Sequence, residues 1–174
     1  MIFKASAGGR FLIPGDGGAA VRVVPCALGR SGVVPAAAKR EGDGATPAGR
    51  WPLRRVLYRI DRTPPPRTAL PVLPIAPDDG WCDDPADPAY NRPVSLPYPA
   101  SAEPLWREDG LYDLLVELGY NDDPPRPGAG SCIFLHLARP GYGPTRGCVA
   151  LAREHLEAVL ALAGAGSALQ IDEA

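Results

Sequence analysis

The sequence predicts a mainly β fold with minor α content, and three observations carry that reading. Glycine at 20 and proline at 22 of 174 positions punctuate the chain so often that most intervals are too short for helices. The apolar segments between them are short, as strands are. One stretch alone, residues 152–163, holds an unambiguous helical period.

In chain order, apolar segments at residues 2–5, 10–13 and 21–28, with Gly-Asp-Gly-Gly at 15–18 as hairpin punctuation, predict an antiparallel start to a sheet. Residues 29–49 form a long glycine-rich loop, the kind of loop that is often functional, and residues 51–60 extend after it. Residues 61–104 are richer still in proline and read as irregular surface structure. Residues 111–120 are ambiguous. Leu111, Leu114, Leu115 and Leu118 fit a helical face, whereas Tyr112, Leu114, Val116, Leu118 and Tyr120 alternate as in a strand. A nearly unbroken apolar run, Cys132-Ile-Phe-Leu-His-Leu-Ala138, reads as a buried strand. In the helix, Leu156, Val159, Leu160 and Ala163 mark one face and Gly164 offers a stop. Residues 167–171 then form a short closing strand.

The length fits one domain over residues 1–174 with a core of its own, so no structural metal is required. No metal site is expected, because His136, His155, Cys26, Cys82, Cys132 and Cys148 show no zinc-ligand spacing. The same cysteines are too irregularly spaced to resemble a disulfide framework. Residues 1–75 carry 12 Lys/Arg against 4 Asp/Glu and the remainder 6 against 16, an asymmetry read as complementarity within one fold. No nucleic-acid partner is expected, since the arginines at 50, 54, 55, 59, 62 and 67 lie among prolines and not among aromatics. No stretch reaches the ~20 apolar residues of a membrane span, and the N-terminus lacks the apolar core of a secretory signal.

The chemistry concentrates at His136 and Cys148. A thiol that performs covalent catalysis needs a base within reach and backbone N–H groups to hold an oxyanion. Gly141-Tyr-Gly-Pro-Thr-Arg-Gly147 can bend the chain so that Cys148 returns to His136, twelve residues earlier. The amides of Arg146, Gly147 and Cys148 are then oxyanion candidates, and Gly147 permits close backbone approach. Arg146 is placed to lower the thiol pKa or hold a substrate carboxylate. Against this stand plain structural roles: Cys148 as a small buried hydrophobe, His136 as a core imidazole bonded to a carbonyl, and His155 packed at the helix edge. A phosphate cradle is disfavoured, because the glycine spacing is not the dinucleotide fingerprint and no Gly-Lys-Ser/Thr occurs.

The His-bearing strand, Thr145-Arg-Gly-Cys-Val149 and the upstream Gly44-Ala-Thr-Pro-Ala-Gly49 resemble the L,D-transpeptidase catalytic domain family, in a compact bacterial branch. Further pieces occur in the same order across residues 20–165: Tyr90-Asn91-Arg92, Trp106-Arg107, Leu111-Tyr-Asp113, Gly119-Tyr-Asn121 and Gly130-Ser-Cys-Ile-Phe-Leu-His136. The resemblance implies curved, packed β-sheets with a helix after the nucleophile, and it tips residues 111–120 towards strand. It implies Cys148 as nucleophile and His136 as general base, the latter oriented by a backbone carbonyl such as that of Leu137. Gly147, Arg146 and Thr145 become oxyanion or substrate-binding residues. Two features depart from the pattern: Arg146 stands where many members have histidine, and the His-to-Cys interval is short.

What the resemblance implies about activity is peptidoglycan L,D-transpeptidation without a cofactor. Cys148 would attack the L-centre carbonyl of residue three in a stem tetrapeptide, D-alanine would leave, and a second stem's amine would take the acyl group. Water in place of the amine gives an L,D-carboxypeptidase, and the thioester chemistry implies acylation by carbapenems. A non-catalytic domain binding wall peptides and a cysteine peptidase acting on ordinary proteins are the competing readings. The implied substrate places the protein in the periplasm or cell envelope, while the missing signal segment leaves the cytoplasm open.

Overall fold

The computed structural model describes residues 1–15, 17 and 20–173. Strands β1 (Ile2–Ser6), β2 (Arg10–Ile13) and β3 (Arg22–Pro25) form the expected antiparallel start. Of the turn expected at 15–18, Asp16 and Gly18 lie outside the described residues. β4 (Val33–Pro35) follows, then the 13-residue β5 (Thr46–Tyr58). Beyond it come β6 (Val72–Pro74), β7 (Asp79–Cys82), β8 (Pro93–Ser95), β9 (Ala102–Pro104), β10 (Leu114–Leu118) and β11 (Phe134–Leu137). β12 (Val149–Leu151), α1 (Arg153–Leu162) and β13 (Ala168–Asp172) complete the order.

Ten strands form one sheet whose main path runs β12, β11, β10, β5, β13, β1, β2, β3, with β4 and β6 pairing to the two ends of β5. β5 is the spine. Its Gly49–Pro52 part pairs with β13 and its Leu53–Tyr58 part with β10, with a bulge between Val116 and Leu118. Bulges of this kind bend and twist a strand, so one long strand turns the sheet along its length. The structure corrects the sequence reading here: residues 46–49 are strand, because long-range pairing to β4 and β13 outweighs the local glycine and proline signal.

Residues 61–104 also differ from expectation. They contain a three-stranded antiparallel sheet in the order β8, β7, β9. The prolines are tolerated because Pro74, Pro93 and Pro104 sit at strand ends, where a ladder N–H is dispensable. Trp81 and Ile75 from this region, and Leu105 just after it, are buried and pack with Leu57, Tyr112, Leu115 and Phe134 in one apolar cluster.

The helix falls where predicted. Leu156, Val159 and Leu160 are fully buried and join Leu135, Leu137, Val149 and Leu151 in the larger cluster. Alternation in β11 explains the division: Leu135 and Leu137 face the helix side, whereas Phe134 and His136 face away from it. β10 repeats the pattern, with Leu114, Val116 and Leu118 in one cluster and Leu115 in the other. Both faces of these strands are covered, which is why residues 111–120 carry no clean period.

Candidate active site

Parallel pairing of β11 with β12 matches His136 to Ala150. Cys148, two positions before Ala150, therefore falls on the same face as His136, beside Phe134. Phe134 N–H donates to the Cys148 sulfur at 3.4 Å, and the thiol donates to the Cys132 carbonyl at 3.0 Å. Cys132 holds a left-handed backbone, φ 54°, a conformation that costs a non-glycine residue about 1 kcal/mol or more. Asn91 secures it: its Oδ1 accepts from Cys132 N–H at 3.1 Å and from Trp81 Nε1–H at 2.9 Å.

His136 is 5 % exposed. Its Nδ1 lies 2.9 Å from the Leu137 carbonyl oxygen, and the Tyr112 ring meets its ring edge-on at 5.2 Å. Burial, ahead of the favourable Leu137 hydrogen bond, pulls the imidazole down to about 4. Burial, followed by the Glu103 charge, pushes the Cys148 thiol up to about 12. The pair is thus neutral at pH 7, and the resting thiol hydrogen-bonds to Cys132, with no bond to the imidazole among the described residues.

The turn before Cys148 is built by Thr145. Its hydroxyl donates to the Cys148 carbonyl at 2.7 Å and accepts from Gly147 N–H at 3.1 Å. Of the three amides expected to face an oxyanion, Gly147 is therefore satisfied internally. The N–H groups of Arg146 and Cys148 have no acceptor among the described residues. Gly147 has φ 138°, and a Cβ there would lie 2.8 Å from the Ala45 carbonyl oxygen. That contact ties the nucleophile turn to Gly44-Ala-Thr-Pro-Ala-Gly49. Residues 27–29 bridge the two indirectly: Gly29 N–H donates to Thr46 Oγ1 at 2.8 Å, and Ala27 exchanges two bonds of 2.9 Å with Ala150.

Cys148 and His136 open onto a cavity of about 460 Å³. The glycine-rich loop supplies Arg30, Lys39 and Glu41 to its lining, as a functional loop was expected to do. Asp43 organises that loop, accepting from Lys39 Nζ, Arg40 N–H and Ala45 N–H at 2.7–2.8 Å. Burial raises the Asp43 carboxyl, but these donors outweigh it and hold the group below its ordinary range. Arg146 is exposed on the rim and makes no ion pair among the described residues.

Sequence reasoning missed Glu103, Tyr112 and Arg107 as cavity residues. Tyr112 O–H donates to Glu103 Oε1 at 2.6 Å, Arg107 pairs with the same oxygen at 3.3 Å, and its guanidinium lies 4.9 Å from the Tyr112 ring centre. Nothing local marks Glu103 in Ser101-Ala-Glu-Pro-Leu105; it reaches the site through the pairing of β9 with β7. All four cysteines are free and buried. Among the described residues, no three His, Cys, Asp or Glu gather as a metal site, and no helix is long and apolar enough to cross a membrane.

The sequence model of the YkuD family, described as the L,D-transpeptidase catalytic domain, matches residues 7–171, nearly the whole chain. No curated protein and no solved structure matches the chain. With the family's domain spanning the mainly β sheet, helix α1 and the cavity that joins His136 to Cys148, the chain belongs to the L,D-transpeptidase catalytic domain family.

Proposed function

We propose that this site performs cysteine acyl transfer on peptidoglycan stem tetrapeptides, with Cys148 as nucleophile and His136 as general base. The observation that carries the reading is the shared face of two adjacent parallel strands, on which the thiol and the imidazole open into one cavity. The Leu137 carbonyl can only accept, so it holds the proton on Nδ1 and leaves Nε2 bare to take another. Because both groups rest neutral, the thiol proton moves to His136 as sulfur attacks, after the thiol turns from Cys132. The carbonyl attacked is that of the L-centre at residue three. The oxyanion meets the free amides of Arg146 and Cys148, and Gly147 and Thr145 hold the turn that presents them. The imidazolium then protonates the leaving D-alanine, and a thioester remains.

An amine from a second stem completes a cross-link; water completes an L,D-carboxypeptidase reaction. Carbapenems acylate the same sulfur on this reading, and no cofactor is needed. Stem peptides place the work in the cell envelope. The raised thiol pKa favours a second reading, a non-catalytic domain that binds wall peptides. Intact-protein mass spectrometry separates the two. Incubation with a stem tetrapeptide or a carbapenem should give a covalent adduct, with D-alanine released from the tetrapeptide, and the adduct should vanish in Cys148→Ala. A folded, reduced protein that yields neither adduct nor D-alanine is a binding domain.

A further inference from the structure

The cavity is electrostatically two-sided. Arg30, Arg139 and Arg146 line it from the loops and make no ion pair among the described residues. Asp83 and Glu103 line it from the small sheet. Trp81 pairs with Glu103 in the β7–β9 ladder and Asp83 N–H donates to Ser101 O, so the two carboxylates are diagonal neighbours on one face.

Their oxygens are under-used. Glu103 Oε1 holds Tyr112 and Arg107, but Oε2 accepts no hydrogen bond among the described residues. Asp83 Oδ1 is buried and has no hydrogen-bond partner among the described residues. Arg107 does not neutralise both, because its other nitrogens bond the two oxygens of Asp109 at 3.0 and 2.5 Å. A buried carboxylate oxygen without a donor is costly, so a ligand carrying several N–H donors and a positive charge is the chemistry this wall fits. Tyr112 spans from Glu103 at its hydroxyl to His136 at its ring, which places such a ligand next to the base. Burial also lifts the Glu103 carboxyl above its ordinary range, bringing it closer to a useful proton acceptor.

We propose that Glu103, with Asp83 beside it, anchors the primary ammonium group of the acceptor substrate and thereby favours aminolysis of the acyl-enzyme over hydrolysis. The inference rests on the acyl-transfer reading of Cys148. The ammonium gives one proton to His136, its nitrogen attacks the thioester carbonyl, and the C–N bond forms as the C–S bond breaks. The departing Cys148 sulfur recovers its proton from His136. The second ammonium proton leaves through Glu103 to solvent, and the third remains on the new amide. A carboxylate-bearing donor stem is then kept to the arginine side, apart from the acceptor.

The test is the ratio of transfer to hydrolysis from a tetrapeptide-derived acyl-enzyme, measured with a stem peptide bearing a free side-chain amine. Glu103→Gln should lower that ratio at least about tenfold and raise the acceptor KM, the loss of one charge-assisted contact. Glu103→Asp should fall between. If Glu103→Gln slows acyl-enzyme formation but keeps the ratio, Glu103 only supports Tyr112 and the proposal fails; an unchanged ratio at an unchanged rate also overturns it. Should the variant not fold, the native protein gives the answer. An acceptor with hydroxyl in place of amine should compete against the labelled amine acceptor about tenfold more weakly than the unlabelled amine does, and equal competition overturns the anchor. No acyl-enzyme in the native protein defeats the acyl-transfer reading itself, and this inference with it.

Discussion

His136 Nδ1 lies 2.9 Å from the carbonyl oxygen of its own neighbour, Leu137. A carbonyl offers no proton, so the neutral ring carries hydrogen on Nδ1 and presents Nε2 as the free acceptor. Among the described residues no carboxylate takes the orienting part that an aspartate plays in a serine–histidine–aspartate triad, and none is required, because the backbone fixes the same tautomer. Tyr112, edge-on to the ring, restricts how far it can turn about that bond.

The low imidazole pKa has a consequence for stability. In the unfolded chain His136 protonates near 6.5, but in the folded protein only near 4, so as pH falls between those values the unfolded state gains the proton first. Stability is complete above about pH 6.5 and is lost towards pH 4, by about 3 kcal/mol from this residue. Urea unfolding from pH 4 to 7 should show that rise with pH, and His136→Gln should flatten it. An equal slope in the variant would assign the effect to other groups.

Cys148 should behave as a shielded thiol until substrate arrives. With the group pushed up to about 12, iodoacetamide should modify it far more slowly at pH 7.5 than a free cysteine, with a rate still climbing at pH 10 where an ordinary thiol has levelled off. Cys148→Ala should keep the fold and lose all turnover, and His136→Ala should lose most of it. Full activity in Cys148→Ala would end the acyl-transfer reading.

About half of the strands, and the helix, were legible because their signals are local. The segments at 2–5 and 10–13, the helical face of Leu156, Val159 and Leu160, and the His136 strand all stand out from their neighbours. β10 was not decidable from its period, since both of its faces are buried. β8 and β9 were hidden by proline, which local rules read as loop although strand ends accept it, and β7 is a short strand whose partners are those two. At the site, Cys148 and His136 are residue types that announce chemistry, whereas Glu103 and Tyr112 enter through pairings that no local pattern encodes.

Arg146 stands where many relatives of this family were expected to carry a histidine, and its side chain is exposed without an ion pair among the described residues. Removing it should therefore leave stability within about 0.5 kcal/mol. Arg146→Ala should weaken substrate use, seen as a higher KM, with slow acylation retained. A melting temperature lowered by many degrees would mark Arg146 as structural.

Gly147→Ala tests whether the nucleophile turn depends on its contact with the loop at Ala45. Residue 147 has φ 138°, which an L side chain rarely adopts, and the new Cβ would sit 2.8 Å from the Ala45 carbonyl oxygen and 3.2 Å from Ile133 Cδ1. Backbone strain of roughly 1–3 kcal/mol adds to the displacement of a backbone oxygen that has no flexible side chain to yield. The variant should lose at least about 3 kcal/mol of stability, and whatever folds should acylate poorly, because the amide of Cys148 moves with the turn. Gly143→Ala in the same loop is the control for stability: nothing lies within 4 Å of its added Cβ and its φ is −54°. That variant should unfold within about 0.5 kcal/mol of the native protein. Equal losses from the two would mean that the whole loop resists substitution and that the Ala45 contact has no special part in holding Cys148.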